Sequence, residues 1–133
     1  MKRVFGAVFA VACAATTTTA MAQVKPEDVI RFRKGVYQVV AWNVRPIGQM
    51  VKGEIPFNKD LFARNAANVA AMAQLAPEAF AAGSDKGGET RAKPEIWSDA
   101  AGFKKAMDTF QAESAKLAEV SRTAANVDAV RAQ

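Results

Sequence analysis

Between Ile96 and Ser121 the chain places Ile96, Ala100, Phe103, Met107, Phe110, Ser114, Leu117 and Ser121 at alternating steps of four and three. The average step of about 3.5 residues is the signature of a helix lying at a shallow angle against its neighbours in a bundle. Such a helix cannot bury its own seam. The rest of the chain must therefore supply partners of the same kind, and it does.

From Pro26 a second helical pattern runs through Val29, Arg33, Val36, Val40, Val44, Ile47 and Val51, widened by Ile30, Tyr37 and Ala41. Pro26 suits a first helical turn, and Glu27 and Asp28 sit well beside the positive end of the helix dipole. Pro46 lacks an N–H and crowds the preceding turn, so a kink or an early end is expected there. Gly53 and Pro56 close the segment. A third pattern, capped by Asn58, carries Leu61, Asn65, Val69, Met72 and Ala76 until Pro77 interrupts it, with Phe80 just beyond. The stretch SDKGGETRAK reads as a loop, and the helix after it is expected to begin around Pro94 and Glu95. Asn126 is an N-cap for a fourth helix that opens with Val127 and Val130. Short connections imply antiparallel neighbours, so the fold expected is an all-α, up-down-up-down four-helix bundle with its fourth helix cut short.

The first 22 residues read as a secretory signal peptide. Lys2 and Arg3 form a charged start, VFGAVFAVACAA is an apolar run too short to span a bilayer, and Ala20-Met21-Ala22 offers a cleavage site. The expected mature domain is residues 23–133, one helical domain of 111 residues with a net charge of +3. It contains no histidine and, because Cys13 lies in the leader, no cysteine. Disulfides, thiol catalysis, Cys/His metal sites and serine–histidine catalysis are excluded for these residues. No catalytic pair is in sight, so an enzyme is not expected. Lys and Arg stand among acids, as in KPEDVIRFRK and GFKKAMDTFQAESAK, which describes solvated helix faces and not a nucleic-acid footprint.

Three stretches, KPEDVIRFRKGVYQVV, VKGEIPFN and LAPEAFAAGSDKGGETRAKPEIWSDAAGFKKAMDTFQ, make the chain from Lys25 to Gln133 resemble cytochrome c′, the class II c-type cytochromes of the bacterial periplasm. The resemblance implies a haem protein that transfers electrons or binds small gases such as NO and CO. It also implies a homodimer paired through the first two helices, located in the periplasm and free of the membrane once the leader is cleaved. The family carries its haem on a C-x-x-C-H segment of the fourth helix. These 133 residues contain no such segment. The resemblance therefore implies haem c for the complete family member, with covalent attachment not possible in this chain, which reads as truncated before the attachment site. The alternative is a haem-free helical interaction module that completes its core by self-association.

By the same resemblance, Arg33 and Lys34 match first-helix positions at the haem edge and its propionates. Tyr37 matches a bulky non-ligand facing the iron, Phe80 an aromatic packed on the haem, and Glu89 and Thr90 a loop near the haem edge. From the residues alone these are equally solvated charges, a bundle tyrosine, a core phenylalanine and a solvated loop. Trp97 and Phe103 are assigned to the core, and Met50, Met72 and Met107 to packing.

Overall fold

The computed structural model describes residues 24–131, so the expected leader over residues 1–22 lies outside the described residues. Helix α1 spans Pro26–Lys52 and α2 spans Lys59–Leu75, continued by a 3₁₀ turn over Ala76–Phe80. A single turn, α3 (Glu95–Ser98), precedes the long α4 (Ala100–Thr123), and α5 begins the next helix at Asp128–Arg131. No strand occurs among the described residues.

The caps fall where their chemistry requires. Asn58 Oδ1 accepts from the Leu61 N–H at 2.9 Å, and Asn126 Oδ1 from the Ala129 N–H at 3.2 Å. Each satisfies a donor that helix geometry leaves without a partner. Gly53 takes the left-handed conformation (φ 76°), and the N–H groups of Gly53 and Glu54 bond back to Met50 O and Gln49 O. That closes α1 as only glycine does cheaply.

Three expectations are corrected. Pro46 does not bring the early end, one of the two outcomes expected there, because α1 continues to Lys52. The carbonyl deprived of its donor belongs to Trp42, whose side chain is 78% exposed, so water can serve it. Val44 leaves the seam, and Asn43 is buried in its place. Each step of four overshoots the helical repeat by about 40°, so the run 36–40–44 drifts off the core and must step back. Asn43 Nδ2 donates to Val39 O at 2.8 Å, and its Oδ1 accepts from Asn68 Nδ2 at 2.9 Å, tying α1 to α2. The long helix starts at Ala100, because Asp99 takes the N-cap and its Oδ1 accepts from the Gly102 N–H at 2.9 Å.

One end of the bundle holds the main core. Ile47 and Met50 of α1, Phe62 and Ala66 of α2, Ala118 and Ala124 at the end of α4, and Val130 of α5 pack together there. Arg131 docks α5 onto α1, its Nε and Nη2 donating to Val51 O at 3.3 and 3.1 Å. The other end, between the first halves of α1 and α4, is open.

Candidate haem cleft

That opening is a cleft of about 650 Å³, within the range of small-molecule sites, about 300–1,000 Å³. The first half of α1 contributes Arg33, Lys34 and Tyr37. The 3₁₀ turn contributes Phe80, the loop Thr90 to Lys93, and the start of α3 and α4 Ile96, Gly102 and Phe103. Its wall is apolar and its mouth carries Lys34, Arg91 and Lys93, with Glu95 and Asp99 on the α3–α4 side. Asp99 is already engaged as the cap of α4.

Phe80 is the hub. Its ring centroid lies 4.9 Å from Phe103 and 6.1 Å from Tyr37, both edge-on, and 6.3 Å from Trp97. Edge-to-face pairs at such distances stabilise beyond simple burial. Pro77 makes this possible: it converts the end of α2 into a 3₁₀ turn and so aims Phe80 across the bundle toward α4.

Arg33 is 6% exposed and makes four hydrogen bonds through its two terminal nitrogens. Nη1 donates to Ala79 O at 3.0 Å and Ser84 Oγ at 3.2 Å; Nη2 donates to Ser84 O and Thr90 Oγ1, both at 2.9 Å. The guanidinium carbon lies 5.1 Å from the Phe80 ring centre and 5.6 Å from that of Trp97. Burial pushes the Arg33 pKa below its usual value, and nearby Tyr37 works in the opposite direction. Lys34 reaches only the exposed Glu89, at 3.9 Å. Glu89 itself does not line the cleft. Thr90 Oγ1, besides accepting from Arg33, accepts from the Ala92 N–H at 3.1 Å.

Arg33, Lys34, Tyr37, Phe80 and Thr90 thus converge on one cleft, and Glu89 stands outside it. The sequence reading missed Phe103, which lines the wall but is expected in the core. Trp97 does not line the cleft; it packs against Arg33 and donates from Nε1 to Ala81 O at 3.2 Å. The position of Phe103 on the same seam as Ile96 carried the signal, because the open end of the bundle is lined by that seam. Ser84, wholly buried and bonded to Arg33, had no sequence signal at all.

Burial raises the Tyr37 phenol above its ordinary pKa of about 10, with the Arg33 charge opposing. The chain has one tyrosine, so titration followed at the phenolate absorbance reads Tyr37 alone. The expected midpoint is above that of free tyrosine. At alkaline pH the folded chain holds a proton that the unfolded chain has released. Stability should therefore fall as pH rises past the unfolded value, until the folded value is reached. Tyr37→Phe should remove that part of the fall, and a midpoint at or below that of free tyrosine would contradict the burial.

Among the described residues no three His, Cys, Asp or Glu side chains gather as a metal site, and no helix is long and apolar enough to cross a membrane. Residues 28–133 match the family model described as Cytochrome C′. The chain is 40% identical over 99 residues to cytochrome c′ of Rubrivivax gelatinosus, covering 74% of this chain and 77% of that protein. It superposes on the crystal structure of that cytochrome with a TM-score of 0.76 at 38% identity, over 81% of this chain and 84% of the other. A nitric oxide complex of a mutant cytochrome c prime from Alcaligenes xylosoxidans is similar at 32% identity with a TM-score of 0.71, covering 82% and 83%.

Proposed function

Because the chain belongs to the cytochrome c′ family, we propose that it is a periplasmic haem-binding protein that carries electrons or holds small gases such as NO and CO, turning over no substrate. The observation that carries this reading is the cleft, an apolar slot with an aromatic hub and a cationic mouth. The wall and mouth fit a flat dicarboxylate macrocycle. Phe80, Phe103 and Ile96 would supply the apolar face, and the cations Lys34, Arg91 and Lys93 could pair with its carboxylates. The attachment part does not fit these residues: the 133 positions hold no histidine and no cysteine other than Cys13. When bound, haem supplies one-electron chemistry and an iron site for small ligands. Tyr37, braced edge-on by Phe80, would limit the space on its own side to small ligands, and it offers no basic nitrogen. The nitric oxide complex of the similar Alcaligenes protein supports the gas-binding side of the proposal.

Titration of the purified chain with ferric protoporphyrin IX should give a saturable Soret shift. Acidified acetone should extract all of that haem, and a denaturing gel should show no haem-stained band. Phe80→Ala removes one stacking face and should weaken binding by about tenfold or more. Absence of saturation, or equal binding by the variant, would overturn the assignment of the cleft.

The proposal extends to a homodimer paired through α1. Phe32 and Val39 are each 42% exposed, Trp42 is more so, and Pro46 is half-buried. With Gly35 they follow steps of three and four along one side of α1, a second seam distinct from the core face. Space is open beside Gly35, where an added Cβ would meet nothing within 4 Å.

A further inference from the structure

The family resemblance implies a place for Arg33 at the haem edge and its propionates. Its actual partners point elsewhere. We propose that Arg33 is a positioning residue: its guanidinium fixes the segment from Ala79 to Thr90 as one wall of the cleft, and Lys34, Arg91 and Lys93 are left to meet a ligand's carboxylates. The role of that wall rests on the reading of the cleft as a binding site; the latch itself does not.

The donor count is the first argument. Each terminal nitrogen of arginine carries two hydrogens, and both on each are spent on Ala79 O, Ser84 Oγ, Ser84 O and Thr90 Oγ1. A ligand carboxylate could take a terminal N–H only by displacing one of these. None of the four partners is charged. The buried cation is instead stabilised by neutral oxygen dipoles and by the faces of Phe80 and Trp97.

The second argument is that, besides the Trp97 Nε1–Ala81 O bond at its start and the exposed Lys34–Glu89 contact, little else can hold the segment. From Ala81 to Ala92 the chain has no helix or strand, and its only apolar side chains are alanines, two of them exposed. Burial of so little apolar surface cannot offset the entropy of ordering a dozen residues. A second pin exists further out. Gly87, at φ +95°, passes so close to α1 that a Cβ there would lie 2.8 Å from Pro26 Cβ. Between these points Ser84 is completely buried, and its Oγ also donates to Ala81 O at 2.7 Å. Arginine is required because only a planar fork can reach three separated residues while also packing against two rings. Lysine keeps the charge and loses that geometry.

Hydrogen–deuterium exchange of the full chain without added ligand tests the latch. Arg33→Lys and Arg33→Gln should each speed exchange of the amides from Ala81 to Ala92 by tenfold or more, with those of α2 and α4 within twofold of the parent. Thr90→Val, which removes one acceptor, should give a smaller increase confined to the same segment. Lys34→Ala with Lys93→Ala should leave that segment protected while weakening ferric protoporphyrin binding. Unchanged loop exchange in Arg33→Lys would overturn the proposal, since charge alone would then suffice. A uniform rise over α2 and α4 would overturn it too, making Arg33 a general core residue. Because exchange is read without ligand, failure of the chain to bind haem would leave this result standing.

Discussion

Phe62→Ala should cost about 3–5 kcal/mol of stability, the range for deleting a fully buried aromatic ring. Phe62 is 1% exposed and sits where α1, α2, α4 and α5 meet, its ring 5.6 Å from that of Phe57. The same cluster includes Ala66, Ala118 and Ala124, whose single methyl groups cannot fill the gap. A domain of this size has about 5–15 kcal/mol in total. The variant should thus lose a large share of its stability, and its urea midpoint should fall steeply with little change in slope. Phe62→Leu keeps most of the volume and should cost much less, under about 1.5 kcal/mol. Equal midpoints for Phe62→Ala and the parent would mean that the core does not lie at this end of the bundle.

Trp42→Glu should weaken self-association by about one and a half to three orders of magnitude while leaving the fold intact. A tryptophan at the centre of a helix pair is worth about 2–4 kcal/mol as an interface anchor, and each 1.4 kcal/mol is roughly a tenfold change. Trp42 is 78% exposed in the single chain, so the substitution removes almost no intramolecular packing. In an antiparallel pair of α1 helices centred between Gln38 and Val39, Trp42 of one copy would face Gly35 of the other, where space is open. Gly35→Leu fills that space and should weaken pairing as well. Sedimentation equilibrium of the parent and both variants checks this. A parent chain that stays monomeric at high micromolar concentration, or variants that associate as the parent does, would remove α1 from the interface.

Some of the cleft was legible before any fold was known. Arg33 and Tyr37 are four residues apart and fall on the same side of a helix by periodicity alone. Phe103 and Ile96 are likewise linked by the 3.5-residue seam. That these two pairs face each other across a gap was not legible, and Phe103 was accordingly assigned to the core. The partners of Trp97, Arg33 and Ala81, were not legible either, because they lie on other segments. The seam of α1 was right at Val29, Arg33, Val36 and Ile47 and wrong at Val44. Counting apolar residues could not show that Asn43, bonded to the exposed Asn68, would replace it in the interior.

The sequence alone determined the helices, the caps at Asn58 and Asn126, the glycine stop at Gly53, and the want of any thiol or imidazole in residues 23–133. These depend on composition or on neighbours three or four positions away, and both are written in the order of the residues. The tertiary structure alone decided what Arg33 does, because its partners lie 46, 51 and 57 positions along the chain. A charge on an apolar seam says only that it must be compensated when buried. Which oxygens and rings compensate it is set by how the segment from Ala79 to Thr90 packs against α1, and no local rule encodes that.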